Sequence, residues 1–218
     1  MLRLLMKLIE NGWELGIDLM GGRITELRKD NQQILGTFQR IDGKKGSTHV
    51  CFPCFGNEMP KLPFHGPARD EKWTIADTYG ENAEIVYSYK KWRIKQIFKL
   101  EKVFVHQFII ENKGMRKLPV NLAVHYYFNL NYKDLTINGD KMEQYIKADG
   151  EIQAKRTNII DDGTIRILMI LDGFERIHLW TGRKNGIYDE SYCCLEPLWG
   201  LRQIQPREKA NLTVKLRV

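Results

Sequence analysis

Apolar positions along the chain fall in short runs, many alternating with polar residues at a period of two, the pattern of strands with one buried face. Such runs cover Trp13 to Leu19, Ile24 to Arg28, Ile85 to Tyr89, Arg93 to Leu100, Val103 to Glu111, Val120 to Leu130, Thr164 to Leu171, His178 to Thr181 and Leu212 to Val218. Turn residues separate them, among them Gly21-Gly22, Asp30-Asn31, Tyr79-Gly80, Asn138-Gly139, Asp149-Gly150, Asp162-Gly163, Asp172-Gly173 and Asn185-Gly186. Asn-Gly and Asp-Gly tolerate positive φ and favour hairpins. Asn112-Lys113-Gly114 reads as a hairpin turn between two consecutive long strands. Helical periodicity is nearly absent; its best stretch, Asp140 to Ala148, is short and fits either state. So many short strands with regular turns predict an all-β fold, an antiparallel sandwich or barrel with few or no helices.

One segment departs from the alternation. Asp42 to Trp73 carries four of the seven prolines (Pro53, Pro60, Pro63 and Pro67) and reads as a long ordered loop. Loops of that length inside a compact domain usually carry function. With no internal repeat, low-complexity tract or linker, residues 1–218 read as a single domain.

Composition changes this picture little. Apolar residues make up 43% and charged residues 28%, enough to bury a sizeable core. The net charge of +7 comes from 34 basic residues scattered among 27 acidic ones, without basic blocks or a nucleic-acid motif. A basic balance of this kind fits small anionic substrates, or carries no functional meaning, better than it fits nucleic acid. The four cysteines, Cys51, Cys54, Cys193 and Cys194, are poorly spaced for a zinc site and read as small buried hydrophobes in a reducing compartment. The N-terminal residues lack the apolar stretch and cleavage site of a signal peptide, and no run approaches the ~20 residues that span a bilayer. A cytoplasmic protein without membrane partners is expected.

Three places gather groups able to do chemistry. His65-Gly66-Pro67-Ala68-Arg69 sets an imidazole near a guanidinium, whose rigid fork suits hydroxyls and anions, although a structural loop with a surface Arg explains it as well. His125 lies in an aromatic strand where alternation places it on one face with Tyr127 and Asn129, opposite Tyr126, Phe128 and Leu130; its near-neutral pKa suits proton transfer. Glu196 ends an apolar stretch before Pro197, so it reads as half-buried at a strand end, where burial raises a carboxyl toward the range of a useful base. Taken alone, it reads more readily as a strand-end salt-bridge partner. His49 shows no metal-ligand spacing, and His106 and His178 read as strand residues without a chemical role.

In this order, these segments resemble the aldose 1-epimerases of the galactose mutarotase-like superfamily, and within it the hexose-6-phosphate 1-epimerase branch. The likeness runs from Gly21-Gly22-Arg23-Ile24-Thr25-Glu26-Leu27 through Val50 to Gly56, Leu62 to Arg69 with Trp73, His125 to Leu130 and Leu195-Glu196-Pro197, to Ile204-Gln205-Pro206-Arg207-Glu208. The chain departs from the branch in carrying Pro67 where a Phe is usual, and Lys45-Gly46-Ser47 where an arginine and two glycines are usual. It also shows no clear counterpart of the acidic segment between the two catalytic strands, and it is shorter than typical members.

The resemblance implies an antiparallel β-supersandwich that opens and recloses a sugar ring with no metal or redox cofactor. Glu196 would be the base on the C1 hydroxyl and His125 the acid on the ring oxygen, placed on opposite sides of the sugar. His65, Arg69, Lys45 and Trp73 would bind the substrate, a sugar or sugar phosphate, in a protein that is a monomer or weak dimer. Aromatic faces at Trp73, Tyr127 and Trp199 would stack on the sugar or pack the core. A non-catalytic carbohydrate-binding protein with the same groove is the alternative.

Overall fold

The computed structural model describes residues 5–218. Among these residues the chain forms two nine-stranded antiparallel sheets and one short helix, Glu143–Lys147. The first sheet runs in the order Leu5–Glu10, Trp13–Asp18, Arg23–Lys29, Gln32–Leu35, Ala123–Phe128, Cys193–Leu198, Arg176–Trp180 and Glu151–Gln153, with His49–Cys51 also paired to Ala123–Phe128. The second runs Asp140–Lys141, Thr136–Ile137, Thr157–Asp161, Arg166–Asp172, Lys209–Arg217, Phe104–Asn112, Trp92–Leu100, Asn82–Tyr89 and Thr74–Tyr79. This is the antiparallel all-β sandwich expected from the strand pattern, in the supersandwich form that the resemblance implies.

Alternation decides which side chains meet between the sheets. The first sheet contributes Trp13, Leu15, Ile17, Val124, Tyr126, Phe128, Ile177, Leu179 and Leu195; the second contributes Ile85, Ile94, Phe98, Phe104, Phe108, Val214 and Leu216. Trp13 and Phe104 pack with ring centroids 6.2 Å apart. The polar exceptions form one satisfied chain. His106 Nε2–H donates to Gln96 Oε1 at 2.8 Å, Tyr126 Oη–H donates to His106 Nδ1 at 2.8 Å, and Gln96 Nε2 donates to the Gly22 carbonyl at 3.1 Å. Each group of this hydrogen-bonded chain has a partner, so it joins the sheets without an orphan of its own, whereas the indole N–H of Trp13 in the same core has none.

Several expectations are corrected here. Asn112-Lys113-Gly114 does not close a hairpin: Phe104–Asn112 pairs with Trp92–Leu100 and Lys209–Arg217, while the next strand, Leu118–Val120, pairs with Arg202–Ile204. The Asp42 to Trp73 segment is not loop throughout, for it contains the strands Lys45–Ser47 and His49–Cys51 and a 3-10 turn at Pro67–Arg69. Glu196 lies inside Cys193–Leu198, a strand buried at every position, rather than half-exposed at its end. The four cysteines are free and buried. No helix among the described residues is long and apolar enough to cross a membrane.

Candidate active site

On the first sheet, the residues that do not face the core carry the reactive groups. Four adjacent strands place them in a row. His49 pairs with His125 in register, and His178 pairs with Glu196. Because Ala123 pairs with Leu198 and Tyr126 with Leu195, antiparallel counting sets His125 opposite Glu196. The row across the sheet is therefore His49, His125, Glu196 and His178, with all four side chains on the face opposite Val124 and Leu195.

The row floors a cavity of about 510 Å³. Its walls come from Arg40, Lys44, Tyr127, Asp149 and Trp180, and from Phe55, Phe64, His65 and Arg69 of the proline-rich segment that covers this face. Arg40 lies over the Trp180 ring at 4.7 Å and is ion-paired with Asp42 at 2.7 Å; Arg69 pairs with Asp70 at 2.8 Å. His178 Nε2 meets Asp149 Oδ1 at 3.0 Å.

At the centre, His125 Nε2 lies 3.3 Å from Glu196 Oε1. His125 Nδ1 and Glu196 Oε2 are buried without partners, and Nε2 and Oε1 are the atoms through which the pair meets. The two groups therefore stand side by side on neighbouring strands, not on opposite sides of a space wide enough for a hexose.

Burial dominates the electrostatics. It raises the Glu196 carboxyl well above the usual range, and the nearby Asp149 and Glu151 charges push the same way. It holds the His125 imidazole well below the usual range, with His49, His65, His178 and Arg40 adding to the effect. Both shifts favour the uncharged form of each group, a protonated carboxyl beside a neutral imidazole. Burial, then the Arg69 charge, lowers His65 to about 4.

The structure thus brings His125, Glu196, His65 and Arg69 into one cavity, and leaves two expected binding residues outside it. Trp73 is fully buried in the core, its indole N–H donating to the Ala68 carbonyl at 2.9 Å, so it anchors the segment from beneath and has no face for a sugar. Lys45 is exposed on a strand paired with Gln39; Lys44 and Arg40 are the nearby cations at the cavity. Trp199 packs against the core as well, and Trp180 takes the place of an aromatic wall. His178, read as a strand residue without a role, lies in the row. Asp149, between the two central strands in sequence, supplies an acidic group that sequence reading did not find; its Asp-Gly turn is visible there, but the turn's position over the sheet is not.

The covering segment is held by backbone bonds. Phe52 N–H donates to the His65 carbonyl at 3.2 Å, and Ala68 N–H to the Phe52 carbonyl at 3.4 Å. Gly66 between them has φ of 72°, and a Cβ there would stand 2.1 Å from the Phe52 carbonyl oxygen. Gly66→Ala is therefore expected to cost about 2–3 kcal/mol, read as a lowered urea midpoint at unchanged m-value.

A family model for aldose 1-epimerase matches residues 8–162. Comparison with curated proteins finds no match. Among solved structures, a protein of Escherichia coli K12 superposes with a TM-score of 0.81 at 15% identity, over 98% of this chain and 98% of that one. A galactose mutarotase related enzyme from Lactobacillus acidophilus gives 0.80 at 13% identity, over 98% and 97% of the two chains. The Slr1438 protein from Synechocystis sp. PCC 6803 gives 0.78 at 19% identity, over 100% and 96%. At these identities the likeness establishes the fold.

Proposed function

Since the chain belongs to the aldose 1-epimerase family, we propose that it interconverts the α and β anomers of a hexose by acid–base ring opening, with Glu196 and His125 as the proton-transferring pair. The observation that carries this reading is the contact between His125 Nε2 and Glu196 Oε1 on the floor of the cavity.

Anomer exchange needs a proton removed from the C1 hydroxyl and one delivered to the ring oxygen. Both oxygens are bonded to C1, so two groups standing side by side reach them from one direction. Glu196 takes the hydroxyl proton, the electron pair of that O–H bond becomes the second C1–O bond, and the C1–ring-oxygen pair leaves with the ring oxygen, which takes its proton from His125. Rotation about C1–C2 and the reverse transfers then close the other anomer. The starting state, carboxylate and imidazolium, differs from the neutral resting pair only by one proton moved across the 3.3 Å contact. No net charge enters the buried site, and the pair needs one proton in total throughout. His65 and Arg69 hold sugar hydroxyls, and the Tyr127 and Trp180 rings offer apolar faces to the sugar's C–H surface.

The substrate is drawn from neutral hexoses and their 6-phosphates. Arg40 and Arg69 are each already paired with an aspartate, which leaves Lys44 as the cavity's readiest cation for a phosphate. Proton NMR of freshly dissolved pure α-D-glucose and of glucose 6-phosphate separates the cases. Faster approach to anomeric equilibrium with protein than without it is expected for at least one of them. A spontaneous rate across a panel of aldoses and their phosphates would leave a non-catalytic sugar binder in its place.

A further inference from the structure

The row across the sheet contains a residue that the reaction above does not use. His49 sits directly opposite His125 in the antiparallel register. The two rings stack with centroids 4.7 Å apart and planes 29° from parallel. His49 is only 6% exposed. Its Nδ1 lies 2.9 Å from the Ser47 carbonyl oxygen. A carbonyl can only accept, so Nδ1 carries the proton and the ring is pinned in one tautomer and one orientation. The opposite nitrogen, Nε2, is buried without a partner. A buried unpaired acceptor is costly to keep, so its place beside His125 at the cavity floor needs a reason.

We infer that His49 is the positioning residue for His125, a fixed aromatic plate that holds the acid's ring in line with Glu196. This rests on the reading of His125 and Glu196 as the proton-transferring pair. Two features fit the role. The plate is immobile, since its ring is tied to the backbone two residues away at Ser47. It is held on a strand hydrogen-bonded to the His125 strand, so the distance between the rings is set by the sheet and not by a loop. His125 also meets Tyr127 with centroids 4.7 Å apart and planes 12° from parallel, and Tyr127 lies 6.3 Å from His49. His125 thus touches an aromatic face on its own strand and another on the neighbouring one, and loss of the neighbour frees the ring to rotate away from Glu196.

The test compares His49→Ala with His49→Phe, using whichever of α-D-glucose or glucose 6-phosphate the unaltered protein equilibrates. Removing the plate in His49→Ala is expected to lower kcat by about 100-fold, the scale of a misplaced catalytic group, with KM within about 3-fold of the unaltered protein because no sugar contact is lost. His49→Phe, which keeps the ring and removes both nitrogens, is expected to restore kcat to within about 5-fold of the unaltered protein. An alanine variant that folds and keeps its kcat overturns the inference. So does a folded phenylalanine variant as inactive as alanine, which would make His49 a proton-carrying group. A rise in KM with kcat unchanged also overturns it, because His49 would then be a substrate contact. If alanine fails to fold, judged by circular dichroism, the phenylalanine variant alone decides. If the unaltered protein equilibrates no sugar, the functional reading itself falls, a result distinct from any of these.

Discussion

Glu196→Gln and His125→Asn each bring epimerisation down to the spontaneous rate, a loss of at least about 10²–10⁴-fold, the usual worth of one well-placed acid or base. Both substitutions keep a polar side chain of similar reach and remove the ability to carry the proton. Glu196→Gln should raise stability at neutral pH rather than lower it, because burial lifts the folded carboxyl above its unfolded value and a glutamine of the same shape carries no such penalty. The double variant should be no slower than the worse single one, since a pair that works through one shared proton is lost when either member is lost. The rate of anomer equilibration by NMR, with circular dichroism to confirm folding, measures all three. A Glu196→Gln protein with most of its rate intact would remove the carboxyl from the chemistry, and the pair with it.

The same geometry predicts how activity follows pH. The pair works with one proton, so kcat is lost in acid, when both groups are protonated, and in alkali, when neither is. Because burial lifts the carboxyl and lowers the imidazole, the two groups hold that single proton as a unit, and the two limbs of the profile belong to the pair and not to either residue.

How much of this is visible in the sequence follows from where each strand lies. Strands with one face in the core and one in water, such as Asn82–Tyr89 and Trp92–Leu100, alternate visibly and are found within a few residues of their ends. Thr74–Tyr79 is exposed along its whole length and has no alternation to read. Cys193–Leu198 fails for the opposite reason: the core covers one face and the cavity segment the other, so all six positions are buried and period two disappears. This is the strand that carries Glu196, which is why a buried mid-strand carboxyl looks like a strand end next to a proline. The His125 strand, Ala123–Phe128, is buried at all six positions too, and His125 stands out there as a lone imidazole among apolar and aromatic residues, with Tyr126 and Phe128 in the core and Tyr127 at the cavity. His49 and His178 do not stand out, because their meaning lies in cross-strand register. His49 is 76 positions from its partner His125, and no local pattern encodes which residue of a distant strand will stand opposite. The tryptophans make the same point. Trp73 and Trp180 are the same residue type, and only the fold decides that one is fully buried in the core and the other walls the site.

Buried histidines set the remaining large effect, a steep loss of stability in mild acid. Burial holds His49, His106 and His125 well below the usual imidazole range, and His65 at about 4. In the unfolded chain each titrates near about 6.5. Their contribution is therefore complete above that value and declines as pH falls through it, because the unfolded chain takes up protons that the folded one refuses. Glu196 acts in the opposite sense. Its folded value is raised, so its contribution is present below about 4.3, the unfolded glutamate value, and declines as pH rises above it. Between about pH 5 and 6 four histidines work against one carboxyl, and unfolding takes up a net of about three protons, each worth about 1.4 kcal/mol per pH unit. The steepest slope is then about 4 kcal/mol per pH unit, a large share of the roughly 5–15 kcal/mol that holds a typical domain folded. Urea midpoints measured from pH 7.5 to 5 should fall sharply below about pH 6.5. His106 offers the internal control: it lies away from the cavity, in the core network with Tyr126 and Gln96. His106→Gln should lower stability at pH 7.5 by about 2–3 kcal/mol through broken partners, and flatten the acid slope by one proton's worth. A stability that stays level from pH 7.5 to 5 would mean that these imidazoles take up protons in the folded chain, and that the row on the first sheet is wetter and more charged than its burial implies.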